Sequence, residues 1–141
     1  MQVPHTASAT ATATGGRNGR VQSSDGVLDP GLAMPKELGG PGGAATNPEQ
    51  LFAAGYAACF ENALLRVARE RKAPIRESHV AARVGIGREG DGFFKLAVAL
   101  EVSVPGRERA EVEEMVRTAH EEVCPYSRAT RGNIEVDAKV V

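Results

Sequence analysis

The chain is poor in the residues that build most reactive centres. It has two cysteines and three histidines in 141 residues. Two cysteines allow at most one disulfide and form its only pair capable of covalent redox chemistry. His5, His79 and His120 are scattered, with no H-x-x-x-H or C-x-x-C spacing. No metal site is expected, and all three read as ordinary surface side chains. Charge of neither sign dominates: 17 Lys+Arg face 18 Asp+Glu, for a net charge of −1. That balance offers nothing to nucleic acid or to an anionic membrane surface. No apolar run approaches the ~18 residues that cross a bilayer. The opening MQVPHTASATATAT lacks the basic and apolar blocks of a secretory leader. A cytoplasmic location is therefore expected, where thiols stay reduced and a disulfide is transient.

What is present fits one domain over 1–141, with 1–5 a flexible N-terminus. Thr6 to Thr14 alternates Ala with Ser or Thr, the period of a strand. Gly15-Gly16-Arg17-Asn18-Gly19 is a turn, Arg20 to Ser23 a second strand, and Val27 to Met34 a third. A glycine-rich loop covers Pro35 to Thr46. Asn47-Pro48-Glu49-Gln50 starts a helix that runs to about Arg71 or Lys72, before Pro74. From Leu51 to Ala58 this helix is apolar on every face, so it is expected to be central and buried. One small sheet covers too little of it, which points to an obligate dimer. Val80 to Ile86 and Phe93 to Val104 read as a hairpin, Arg107 to Val123 as an amphipathic helix, and Ile134 to Val141 as a last strand. The order βββ-α-ββ-α-β is that of an α+β domain.

Gly85 to Gly90 spells G-x-G-x-x-G, but a turn and a strand follow it, so it is a hairpin connection. Cys124-Pro125-Tyr126-Ser127 is similar to the C-P-Y-S/C element of glutaredoxin-type proteins. There the motif opens a helix after a first strand. Here it follows a predicted helix C-terminus, where the dipole works against a thiolate. It also stands too near the chain end for a thioredoxin-like fold.

Cys59 lies mid-helix. A lone helical cysteine is most often a small buried hydrophobe. Burial alone lifts such a thiol above ~8.5, so reactivity requires a nearby cation. Arg17 and Arg131 are turn arginines that could supply it, although turn arginines are usually just solvated. Glu49, in the first helical turn, suits the helix dipole, or else orients an arginine. About ten residues of helix hold Glu49 roughly 15 Å from Cys59. If both serve one active site, Glu49 comes from a partner chain.

TATGGRNGRVQSSDG, ELGGPGGAATNPEQLFAAGYAACF, VGIG and VCPYSRATRGNIEV together resemble the organic hydroperoxide resistance branch of the family shared with the osmotically inducible protein C. The match runs from about Thr10 to the C-terminus. Glu61-Asn62 departs from it, since the family often has apolar or small residues there. The resemblance implies an intertwined homodimer, its central helices back to back between two β-sheets. It places the peroxidatic cysteine on Cys59 and the resolving cysteine on Cys124. The catalytic arginine falls on Arg17 and the glutamate on Glu49. It implies no bound cofactor or metal, and recycling by an external dithiol such as the lipoyl groups of lipoylated proteins.

Phe52, Tyr56 and Phe60 recur every fourth residue and form one stripe beside Cys59. With Leu38, Phe93, Phe94 and Tyr126 they are candidates to bind an organic hydroperoxide, or else simply core. Three rivals stay open: a peroxidase of the osmotically inducible branch, a thiol-based peroxide sensor, and an inert dimer with buried thiols.

Overall fold

The computed structural model describes residues 7–141. His5 and the Thr6 start of the first predicted strand lie outside them. The chain divides between Pro48 and Glu49 into two compact units.

The first unit is built around a hairpin. Strands β1 (Ala11–Thr14) and β2 (Arg20–Ser23) pair antiparallel, with Thr14 opposite Arg20. The turn between them includes a 3-10 turn at Gly16–Asn18. Its sequence is dictated by sterics. Gly15 and Gly16 have φ of 78° and 58°, which L side chains avoid. A Cβ on Gly19 would lie 1.7 Å from the Thr14 carbonyl oxygen. Asn18 fastens the turn by accepting the Met34 N–H at 3.0 Å. The expected third strand at Val27 to Met34 does not form as a regular element. Only Gly31 and Leu32 make isolated bridges, to Arg20 and Thr46. Pro30 has no N–H for a ladder, and its carbonyl instead accepts from Val21 at 3.2 Å.

The second unit holds the core. Helix α1 (Pro48–Glu70) ends two residues before Lys72, the one non-glycine residue with positive φ among those described. Strands β3 (His79–Arg88) and β4 (Phe94–Ser103) form an antiparallel hairpin, and β5 (Val136–Val140) lies parallel to β4. A parallel neighbour needs a crossover. Here it comprises α2 (Arg109–Thr118), a π turn (Ala119–Val123) and the short helix α3 (Pro125–Thr130). The predicted helix over Arg107 to Val123 is thus α2 plus the π turn. The G-x-G-x-x-G string lies in β3 and the turn after it.

The core follows the two periodicities. Val98, Leu100 and Val102 alternate on β4, and Val104 continues the pattern just past its end. Tyr56, Phe60, Ala63, Leu64, Val67 and Ala68 form the buried stripe of α1, joined by Val112, Met115 and Val116 of α2. The opposite side of α1 is not covered: Ala54 and Ala58 are exposed. Within the single chain the helix is therefore buried on one face rather than all round. Glu61 is half-buried and accepts the Ser78 hydroxyl at 2.8 Å, while Asn62 is exposed. The two residues that depart from the family pattern thus tether α1 to the loop before β3 and face solvent. No helix among the described residues is long and apolar enough to cross a membrane.

Leu100 is completely buried at the centre of β4. Leu100→Ala should therefore cost about 2–5 kcal/mol, read as a lower urea midpoint at unchanged slope. A loss under about 1 kcal/mol would mean that this core is looser than its packing indicates.

Candidate active site

Helix α1 carries Cys59 and α3 carries Tyr126, and the contact between them brings the two cysteines together. Tyr126 packs edge-on against Phe52, with ring centroids 6.4 Å apart, and tilted against Tyr56 at 5.7 Å. Phe52 and Tyr56 meet edge-on at 6.2 Å. This approach needs Gly55. A Cβ there would stand 2.9 Å from the Tyr126 hydroxyl oxygen and 3.2 Å from its ring. Below the rings the Tyr56 hydroxyl is fully buried and shares hydrogen bonds with Ser127 Oγ at 2.9 Å and Thr130 Oγ1 at 3.1 Å. These bonds hold α3 onto α1.

The result is a Cys59–Cys124 sulfur separation of 3.8 Å, both thiols free. A disulfide is about 2.0 Å long, so the sulfurs lie at van der Waals contact and close by roughly 2 Å to bond. Cys59 is half-buried and Cys124 almost wholly buried.

Cys124 does not sit where its sequence context suggests. It ends the π turn, donating its N–H to the Ala119 carbonyl at 2.8 Å, and at once caps α3. The Ser127 N–H points at its sulfur from 3.5 Å. The expectation of a cysteine stranded at a helix C-terminus is therefore corrected. Pro125, read as a helix stop, is the first residue of a new helix, a position proline favours.

The charge balance at Cys59 is unfavourable to a thiolate. Burial pushes the thiol up, and the neighbouring Cys124 adds to that shift. The Tyr126 backbone N–H pulls in the other direction without prevailing. The second unit thus supplies proximity and an apolar wall, in surroundings that disfavour the thiolate.

Of the other expected site residues, Arg17 is half-buried in the turn after β1, and Leu38 closes a 3-10 turn at Lys36–Leu38 of the first unit. Glu49 is half-buried in the first turn of α1, ten positions before Cys59. Phe93 and Phe94 lie at the β3–β4 turn and are 74% and 56% exposed, with the Arg88 guanidinium 4.4 Å above the Phe94 ring. Tyr56 and Phe60 have no exposed surface, so they form the layer behind the thiols, while Phe52 and Tyr126 keep exposed area. Arg131 donates to the His120 carbonyl at 2.8 Å. No cluster of three His, Cys, Asp or Glu suited to a metal occurs among the described residues.

His120 is the residue that sequence reasoning missed. It is half-buried, its ring 6.4 Å from Phe60, and Nδ1 lies 2.8 Å from Ser127 Oγ. A lone histidine in a charged stretch carries no local signal of such a partner. It lies in the π turn, and its partner Ser127 is seven residues on, in α3.

Comparison with known proteins agrees with this architecture. The family model described as OsmC-like protein matches residues 40–139. The organic hydroperoxide resistance protein of Xanthomonas axonopodis pv. citri is 55% identical over 127 residues, covering 89% of this chain and 88% of its own. A Legionella pneumophila structure, described as an organic hydroperoxide resistance protein OsmC and predicted redox protein, superposes with a TM-score of 0.91 at 49% identity, covering 97% and 98%. A Vibrio cholerae structure, described as a putative organic hydroperoxide resistance protein with captopril bound in one of the active sites, gives 0.90 at 50% identity, covering 99% and 95%.

Burial pulls His120 down, with Arg131 adding to that and Glu121 opposing it. A histidine depressed in the fold stabilises it fully above its unfolded value of about 6.5. That contribution is lost as pH falls below this value and through the folded one. Wild type should therefore lose more stability than His120→Gln between neutral and mildly acid pH, read by urea denaturation. Equal slopes would contradict a buried neutral imidazole.

From its matched residues, its relatives and its fold, the chain belongs to the OsmC family, in the organic hydroperoxide resistance branch.

Proposed function

We propose that this protein is a cysteine-based peroxidase that reduces organic hydroperoxides to alcohols in defence against oxidative stress. The observation that carries the proposal is the pair of free thiols 3.8 Å apart beside an aromatic wall. The names of its relatives concern organic hydroperoxides and support the same substrate class.

The cycle has three steps. The Cys59 thiolate attacks the distal oxygen of ROOH, the alcohol leaves and Cys59 becomes a sulfenic acid. Cys124 condenses with it to give a disulfide and water. An external dithiol, assigned by the family resemblance to lipoyl groups of lipoylated proteins, restores both thiols by exchange. The cycle needs no bound cofactor.

Burial raises the Cys59 thiol, so the first step requires a cation to favour the thiolate. The resemblance assigns that cation to Arg17 and its orientation to Glu49. Arg17 also meets the negative charge that develops on the departing oxygen. Ten residues along α1, Glu49 is too far from the Cys59 of its own helix to share its site. In this reading it belongs to the partner's site, and the protein acts as an intertwined homodimer. The uncovered Ala54 and Ala58 on α1 give such a partner a face to pack on. Light scattering at micromolar concentration should accordingly find a dimer.

Selectivity rests on apolar contact. Phe52 and Tyr126 provide surface, with Tyr56 and Phe60 behind them; Leu38, Phe93 and Phe94 are assigned to the same pocket by the sequence pattern. Buried apolar area contributes about 25 cal/mol per Å², which an alkyl hydroperoxide gains and hydrogen peroxide lacks.

Peroxide consumption with dihydrolipoamide tests the reading. Cumene hydroperoxide should turn over much faster than hydrogen peroxide, and Cys59→Ser should abolish both. Arg17→Ala should lower the rate about a hundredfold near neutral pH. The deficit should shrink as pH rises past the thiol range, because hydroxide then supplies the thiolate. Activity that survives Cys59→Ser, or a deficit in Arg17→Ala that does not vary with pH, would contradict these roles.

A further inference from the structure

Beneath the cysteine pair lies a buried polar group that the cycle above does not use. Ser127 has no exposed surface. Its hydroxyl is held between the Tyr56 hydroxyl at 2.9 Å and His120 Nδ1 at 2.8 Å. Its backbone N–H donates to the Cys124 sulfur at 3.5 Å. Three elements thus converge on one small residue: α1 through Tyr56, the π turn through His120, and α3 through Ser127 itself. Outer partners steady both arms. Thr130 Oγ1 lies 3.1 Å from the Tyr56 hydroxyl, and Arg131 holds the His120 carbonyl at 2.8 Å. Serine suits the place because a hydroxyl both donates and accepts, so one atom satisfies a phenol and an imidazole together.

We propose that Ser127 is a positioning residue for the resolving step: its doubly held side chain fixes the N–H that keeps the Cys124 sulfur facing Cys59. The inference rests on the peroxidase reading above and concerns only its second half. In that step the Cys124 sulfur attacks the sulfur of the Cys59 sulfenic acid. The S–S bond forms and the S–O bond breaks. Hydroxide leaves with the Cys124 proton as water, the Cys59 sulfur is reduced and Cys124 is oxidised. A second hydroperoxide competes, oxidising the sulfenic acid to a sulfinic acid and releasing its alcohol. The winner depends on how consistently Cys124 is aimed across the roughly 2 Å that the sulfurs close. The Ser127 side chain bonds to neither Cys59 nor the wall formed by Phe52 and Tyr126, and without its hydroxyl Thr130 on Tyr56 and the Tyr126 ring at Gly55 still seat α3 on α1, so the first step does not depend on it.

The test separates the two steps in rapid-quench single turnovers of the full chain with cumene hydroperoxide, read by mass spectrometry and thiol mapping. Ser127→Ala should form the Cys59 sulfenic acid at the wild-type rate. It should then form the disulfide about tenfold more slowly and accumulate Cys59 sulfinic acid under excess peroxide. Ser127→Thr, which keeps the hydroxyl, should restore the disulfide. His120→Leu, which removes one of the two holds, should shift the partition in the same direction by less. Disulfide formation at the wild-type rate in Ser127→Ala would overturn the inference. So would an equal slowing of both steps with a lowered melting temperature, which marks a role in folding alone. A wild type that forms no Cys59 sulfenic acid would instead overturn the peroxidase reading, and the inference with it.

Discussion

The close approach of α3 to α1 at Gly55 is the constraint on which the rest of the site depends. A six-residue helix has too few hydrogen bonds to persist by itself. It is held from above by the Tyr126 ring, which occupies the space a side chain at position 55 would fill. From below it is held by the Tyr56 hydroxyl, which reaches two α3 side chains. Leaving that hydroxyl buried without partners costs about 1–3 kcal/mol, so geometry and polarity favour the same seating. Cys124 stands at the start of α3 and Cys59 one turn beyond Gly55 on α1. The 3.8 Å between their sulfurs follows from that seating.

The same packing sets an electrostatic problem. The aromatic wall that would select an apolar peroxide also removes water from Cys59 and pushes its thiol up. Proximity and desolvation therefore come together, and reactivity requires charge from outside the wall. In the proposed cycle that charge is assigned to Arg17, which lies in the Gly15–Gly19 turn. Gly15 and Gly16 take positive φ there and a Cβ on Gly19 would strike the Thr14 carbonyl, so the turn's path demands glycine at these positions.

Much of the fold was legible because it obeys simple periodicities. The Asn-Pro-Glu-Gln start fixed the first residue of α1, whose end falls at Glu70 rather than Arg71 or Lys72, two runs about a Gly/Asp turn revealed β3 and β4, and the Gly-Gly-Arg-Asn-Gly run announced its turn. The α1 stripe and the two cysteines were also apparent. Three features were not. The third strand failed at Pro30, whose missing donor matters more than the pattern around it. Helix α3 was hidden because Cys-Pro reads equally as an end or a beginning, and the π turn lets it be both. The inward role of His120 depends on that same turn and on Ser127, seven residues later. Each miss concerns a local signal whose meaning is decided by a tertiary neighbour.

The most direct measurement of the central claim is the connectivity of the oxidised protein. Isotopically light and heavy chains would be co-refolded, treated with one equivalent of cumene hydroperoxide, and digested without reduction. The account predicts a single linkage, Cys59 to Cys124, with both peptides of the same label, because the two sulfurs already touch within one chain. Mixed-label peptides, or thiols that remain free after the peroxide is consumed, would contradict it.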